Sequence, residues 1–166
     1  MVKAKHIIVG GAVLAAGVIA FYVFWQSEEA KIKRQFKSIE KKIEKTGGES
    51  PIVSAAKANR IREVCVETLK IHAPPHSSPR EIQVGELSGV IFRARSRYSE
   101  ISLKFYDFVI DFPAKHTARV KLTASMKGKL TTGELVEDLH ELKCELQKIE
   151  DDWRLKEIEI VEVLKK

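Results

Sequence analysis

A chain of 166 residues has room for one domain of ordinary size and an appendage. Its 29 Lys and Arg against 23 Asp and Glu leave a formal charge of +6, and 44% hydrophobic residues with only 5 Pro and 9 Gly exclude a disordered chain. Two cysteines exclude a disulfide-built scaffold, no Cys/His spacing fits a structural zinc, and neither a metal nor a cofactor is expected.

The first element is apolar. From Ile7 to Trp25 nineteen positions pass without a charged or strongly polar side chain, Ile7, Leu14, Ile19, Phe21 and Phe24 among them. As a helix this run is about 28 Å long, close to the hydrocarbon thickness of a bilayer. Tyr22 and Trp25 stand where amphipathic rings favour the headgroup layer, and Lys3 and Lys5 flank the start. The preferred reading is a retained signal anchor over residues 1–26. A signal peptide cleaved after Val18-Ile19-Ala20 is the rival, although the apolar run continues through Phe21 to Trp25 beyond that cut. A buried helix of a soluble domain is the third reading. The short basic tail resembles a bacterial signal anchor, which places the C-terminal domain on the periplasmic side of the inner membrane. Basic residues at 31, 33, 34 and 37 leave the positive-inside count undecided.

Residues 27–49 follow as a juxtamembrane helix. Ile32, Phe36, Ile39 and Ile43 recur at helical spacing among mostly charged neighbours, and Thr46-Gly47-Gly48 supplies a stop. The stripe fits the first helix of the domain best; a coiled-coil stem and a basic helix lying on anionic lipid are the alternatives. Residues 50–166 make the folded domain. Ser50-Pro51 opens a second helix, expected to run to Ala73-Pro74-Pro75 with Ile52, Ala55, Ala56, Ile61, Val64, Cys65, Leu69 and His72 on its apolar side. Ser78-Pro79-Arg80-Glu81 reads as a capping box for a third helix to about Arg97, burying Ile82, Leu87, Val90, Ile91 and Ala94.

From Ser99 the apolar period changes to two. Ile101, Leu103 and Phe105 alternate, then Phe108, Ile110 and Phe112 continue on the other parity, so a bulge is expected near Phe105-Tyr106. After a turn at Pro113 to His116, Ala118, Val120, Leu122, Ala124 and Met126 alternate without a fault. Lys127 to Gly133 is the next turn. In the following strand Leu135 and Leu139 share one parity and Leu142, Cys144 and Leu146 the other, which implies a second bulge. Glu150-Asp151-Asp152 is a tight turn into a last strand of Trp153, Leu155, Ile158, Ile160, Val161 and Val163.

Three helices and then four long, bulged antiparallel strands give an α+β order with the helices segregated from the sheet. The ending from Leu142 through Cys144, Leu146, Glu150-Asp151-Asp152 and Trp153 to Ile160 is an alternating strand, an acidic turn, a Trp and a final strand. His116-Thr117-Ala118-Arg119-Val120 is a short turn into a strand with Ala and Val inward. These features resemble the nuclear transport factor 2-like superfamily, the cystatin-like cone fold. The resemblance implies three helices packed in the concavity of a strongly curved antiparallel sheet, behind the N-terminal transmembrane helix. It also implies that any chemistry uses Asp, Tyr, His or Arg groups inside the cone.

The ionisable residues that strand parity can turn inward are Tyr106, Asp107, Asp138 and His140. His140 and Asp138 are two apart and share a face on a regular strand, where an Asp-oriented His can act as a base. Asp107, Asp138 and His140 are therefore the catalytic candidates, with Tyr98, Tyr106 and Trp153 as pocket candidates; a solvated surface pair is the plainer reading of the first group. His72, His76 and His116 are scattered and have no metal spacing. Cys65 and Cys144 read as buried small hydrophobes, with a disulfide between them open if the domain is exported. Arg93, Arg95 and Arg97 add a basic cluster. Residues 31–45 carry seven basic and two acidic side chains, residues 131–166 six and eleven, and the acidic C-terminal stretch argues against nucleic acid.

Two functions remain. The preferred one is a non-catalytic single-pass membrane protein that displays a cone-fold domain for protein assembly or ligand binding, as a homodimer or with a membrane protein partner. One anchor, a helical stem and one such domain is similar in architecture to the bitopic inner-membrane subunit of type IV secretion systems. The alternative is a membrane-tethered enzyme or carrier that takes a small hydrophobic ligand into the cone; catalysis is the less favoured reading.

Overall fold

The computed structural model describes residue 23, residues 27–73 and residues 78–161. The expected anchor over residues 7–25 lies outside these residues except for Val23, and among the described residues no helix is long and apolar enough to cross a membrane. The chain divides between Arg34 and Gln35 into two compact units, the second of which holds the sheet.

Helix α1 (Glu28–Ile43) forms where the apolar stripe recurs every three or four residues, with Glu28 and Glu29 in its first turn and Lys41 and Lys42 in its last, the signs its dipole favours. Ile32 and Phe36 are buried. Phe36 meets the rings of Phe105 and Phe108 edge-on, with centroids 5.2 and 5.5 Å away. Gly48, at φ +83°, turns the chain after the helix as the Gly-Gly pair implied.

Helix α2 (Pro51–Arg60) starts where expected, with the Ser50 hydroxyl accepting the Val53 N–H at 3.4 Å. It does not run on to residue 73. A 3-10 turn (Ile61–Val64) ends it, and Cys65–His72 is strand β1. Cys65 and Leu69 are both buried, and a spacing of four satisfies a helix and a strand alike. Val66, Thr68 and Ile71 are the β-branched residues that favour the strand. Ile52, placed on the apolar side of the expected helix, is exposed. Ser78-Pro79 likewise precedes a strand, β2 (Arg80–Gln83), whose buried Ile82 lies opposite Leu69. Helix α3 (Val84–Ser96) begins only after it; Leu87 is buried as expected, whereas Ala94 is exposed and Arg95 is buried.

Strands β3 (Tyr98–Ala114), β4 (Thr117–Leu130), β5 (Leu135–Ile149) and β6 (Asp152–Val161) follow in hairpin sequence. Among the described residues the sheet has six strands in the order β2-β1-β6-β5-β4-β3, not four. It is mixed rather than antiparallel, because β1 runs parallel to β6. The first expected bulge is present between Tyr106 and Val109, with Asp107 at φ +55°. The second is not where the parity change placed it: β4 and β5 pair without a shift from Thr117 opposite Gln147 to Lys129 opposite Leu135. Leu135 and Leu139 simply point outward. A register shift occurs instead between β5 and β6 at Glu145/Leu146. Such bulges bend the strands, and the sheet curves around its buried face.

That buried face carries Ala118, Val120, Leu122, Cys144 and Leu146, and we call it the inner face. Gly128 lies on it by parity, and the Tyr98 ring stands 2.7 Å from where a Cβ would be, so only glycine admits the ring there. The β3 edge is partly covered. Lys45 and Ile101 exchange two backbone hydrogen bonds of 2.9 Å, and the buried Glu40 carboxylate accepts the Phe105 N–H at 2.9 Å.

The ends of α1 and α3 are tied to each other. Arg95 is 1% exposed. Its guanidinium donates to the carbonyls of Lys42 (3.0 Å), Ile43 and Glu44 (3.1 Å), to the Ser54 hydroxyl (3.1 Å) and to Glu49. Lys57 joins the cluster, donating to the Glu44 carbonyl at 3.0 Å and to Glu49 at 2.6 Å. In return Lys45 donates to the carbonyl of Arg95 (3.1 Å) in the last turn of α3 and to that of Tyr98 (2.5 Å) just beyond it. Helix C-termini leave carbonyls without partners, and here each helix supplies or precedes the cation that satisfies the other.

Arg95→Met removes those donors while keeping the length of the side chain. The expected loss is about 3–5 kcal/mol, read from the shift of the denaturant midpoint. Burial opposes the charge of Glu49, but the hydrogen bonds and charges of Lys57 and Arg95 outweigh it and hold the carboxyl below its ordinary 4.5. Its stabilisation is therefore complete above about pH 4.5 and lost as pH falls through the lower folded value. Glu49→Gln should be less stable than the parent by a constant margin at neutral pH, and the margin should narrow in acid.

Candidate functional site

Partners directly opposite each other in neighbouring strands share a face. Phe105, Ala124 and His140 form one row across β3, β4 and β5; Leu103, Met126 and Asp138 form the next. Both rows have the parity of the buried Val120 and Cys144, so Asp138 and His140 lie on the inner face, at an end of it that is only half covered. Asp138 is exposed and His140 half-buried. No hydrogen bond joins them, and the buried Nδ1 of His140 has no partner among the described residues.

The other candidates stand elsewhere. Tyr106 pairs with Thr123 on the outer face, and Asp107, at the bulge, accepts from the Thr123 hydroxyl at 3.1 Å. The Tyr98 ring covers Gly128, and Tyr98 pairs with Leu130, six residues along β4 from the His140 row, roughly 20 Å. Trp153 is buried with its ring 5.8 Å from Phe112 and the Lys148 ammonium 5.9 Å from its centroid. It lies opposite Lys148, eight residues from His140 and so roughly 27 Å along β5. The structure brings Asp138 and His140 together on one face and separates them from Tyr98, Tyr106, Asp107 and Trp153.

Cys65 and Cys144 are free thiols, and no disulfide joins them. Burial pushes Cys65 up to about 11, with Lys42 opposing weakly, and pushes Cys144 up to about 12, so neither is a nucleophile at neutral pH. Among the described residues no group of three His, Cys, Asp or Glu side chains is placed to hold a metal.

The outer face is charged in columns. β4 presents Arg119, Lys121, Lys127 and Lys129; β5 presents Glu137, Glu141 and Glu145 with Lys143 among them, and β6 Glu157 and Glu159. Cross-strand pairs tie some of them, Lys127–Glu137 at 2.8 Å, Lys143–Glu159 at 2.9 Å and His72–Glu157 at 2.9 Å. Two shallow clefts of about 220 and 280 Å³ share Lys121 and Lys143 at their rims. A third, of about 520 Å³, lies beside the covered β3 edge between Lys45, Gly47, Glu100, Lys129 and Leu135. Apolar side chains interrupt the charge: Leu135 is 79% exposed, Val109 63% and Leu139 55%. The Arg95 cluster was not foreseen, although Arg95 falls four and eight residues after Ile91 and Leu87 on the apolar stripe of its helix.

No family model and no curated protein matches the sequence. Solved structures do match. The Kfla4162 protein from Kribbella flavida superposes with a TM-score of 0.67 at 13% identity, over 81% of this chain and 89% of that one. A protein from Novosphingobium aromaticivorans assigned as a scytalone dehydratase gives 0.68 at 12%, over 82% and 85%. A hexachlorocyclohexane dehydrochlorinase, LinA type 2, gives 0.63 at 8%, over 80% and 83%. The fold is the nuclear transport factor 2-like cone. At these identities the likeness is one of fold alone, and the inner wall of the cone is where Asp138 and His140 stand.

An orphaned buried ring nitrogen costs about 1–3 kcal/mol. His140→Leu should therefore leave the ligand-free cone as stable as the parent or raise its thermal midpoint, as a scanning melt would show. A clear loss of stability would mean that the imidazole has a structural partner.

Proposed function

We propose that this chain is a non-catalytic, single-pass membrane protein that displays its cone domain for assembly, with a second copy docking on the outer face of the sheet. The observation that carries the reading is the exposure of Val109, Leu135 and Leu139 on a face whose basic and acidic columns lie side by side. Apolar side chains scattered singly are ordinary on a protein surface, so these three count here only together with the charge pattern of the same face. A two-fold contact sets a patch against itself, and on this face it can lay the β4 cations of one copy over the β5 and β6 carboxylates of the other. The uncharged run over residues 7–25 supplies the tether.

The inner wall supports a second reading, capture of a small hydrophobic ligand, because the unpartnered His140 nitrogen stands beside Phe105, Ala124 and Met126. Cone proteins named as a dehydratase and a dehydrochlorinase make the fold compatible with ligand binding or catalysis. Acid–base chemistry needs convergent groups, and the scatter of the candidates over two faces favours binding over turnover.

Full-length protein in detergent should sediment as a dimer, and Val109→Lys with Leu139→Lys should return it to a monomer that keeps the circular dichroism of the folded parent. A dimer untouched by both substitutions would place the contact elsewhere, and a monomeric parent would end the assembly reading.

A further inference from the structure

Helix α1 presents two unlike faces. Ile32 and Phe36 are buried, whereas Lys33, Arg34, Lys37 and Lys41 are exposed. At 3.6 residues per turn these four fall within an arc of about 100°, roughly opposite the apolar stripe. The inward cations of the same segment are already engaged: Lys45 holds the carbonyls of Arg95 and Tyr98, and Lys42 lies 3.5 Å from Glu63. Of the outward lysines, Lys37 pairs with Glu40 at 2.6 Å, and among the described residues Lys33 and Lys41 show no ion pair. The apolar run ends at Trp25, and α1 begins at Glu28, so two residues separate them.

We infer that the exposed Lys33–Lys37–Lys41 stripe of α1 lies along an anionic bilayer surface and holds the helix parallel to it. The inference rests on the anchored reading above and names what the first turns beyond the anchor recognise. The short connection brings the start of α1 to the headgroups. Lys33 and Lys41 are about 12 Å apart along the axis, further than the Debye length of about 8 Å, so an upright helix would leave Lys41 outside the surface potential. A helix lying flat brings all three within it. The contact is electrostatic and not an insertion, because Ile32 and Phe36 are buried and unavailable to acyl chains. An acidic protein partner would use the same charges but would not depend on lipid composition.

The test uses full-length protein reconstituted into vesicles of phosphatidylcholine alone or with phosphatidylglycerol. A membrane-impermeant amine-acylating reagent is applied, and each lysine is read by mass spectrometry. Lys33, Lys37 and Lys41 should react about fivefold more slowly in the anionic vesicles, and high salt should abolish the difference. Lys115, exposed in the β3–β4 turn, serves as the reference and should not change. Equal rates in both vesicles, or protection of Lys33 without Lys41, overturn the inference. An alkaline carbonate wash separates the two ideas. Protein that washes off lacks the anchor, whereas protein that stays without lipid-dependent protection is anchored but does not lie on the surface.

Discussion

The Arg95 guanidinium fixes where helix α1 ends, and most of the domain depends on that position. An arginine keeps its charge in a protein interior, so burying one is costly unless each donor meets an oxygen. Here the oxygens are those a terminating helix leaves over, the carbonyls of Lys42, Ile43 and Glu44, together with Glu49 and Ser54. The negative end of the helix dipole and the Glu49 carboxylate both favour a cation at this point. Lys45, next in the chain, answers by closing the Arg95 and Tyr98 carbonyls at the end of α3. The two helix ends are thus joined by charge-assisted bonds in both directions.

The consequences run along α1 into the sheet. With its end fixed, Phe36 reaches Phe105 and Phe108, and Glu40 reaches the Phe105 N–H. β3 is an edge strand of seventeen residues, the kind of exposed backbone that invites pairing with another chain. Glu40 and the Lys45–Ile101 bridge satisfy part of it from within the molecule. Beyond Tyr106 the bulge takes over: Asp107 occupies a left-handed conformation, and Val109 resumes on the outer face where Tyr106 left it. The bulge keeps Phe108 inward against Phe36 while the strand bends, so curvature and core packing are set by the same residues.

Alternation made the four long strands and the first of their bulges readable, since a period of two sustained over ten to seventeen residues fits no helix. The stripe of Ile32, Phe36, Ile39 and Ile43 did the same for α1. Cys65–His72 was not readable by that means, because spacings of three and four between Ile61, Val64, Cys65 and Leu69 fit a helix until β6 is available to pair with. Ser78-Pro79-Arg80-Glu81 met every local requirement of a helix start, yet Ile82 is held in a strand by its position opposite Leu69. In both places a partner distant in sequence decided the matter. Arg95 was hidden for a different reason: a charge is read by default as solvated, and its place on the apolar stripe of α3 has meaning only when the carbonyls it caps are known. For the site, parity put Asp138 and His140 on one face, but it could not tell that Tyr106 falls outside the cone, because that depends on which side of the bulge the core lies.

A curved sheet favours some functions over others. Curvature draws neighbouring strands around a common interior, so residues in one row across β3, β4 and β5 can meet a single ligand. It does nothing for residues far apart along a strand, which remain separated by about 3.4 Å per residue however the sheet bends. Acid–base catalysis needs its groups within hydrogen-bond reach of one reacting atom. Tyr98, His140 and Trp153 are spread along the strands, whereas Phe105, Ala124 and His140 share a row. The row can form one wall of a binding site with a single polar contact. The outer face requires no convergence, since a docking surface works through its whole area. The division of ionisable and apolar groups between the two faces is what the proposed docking and capture readings draw on.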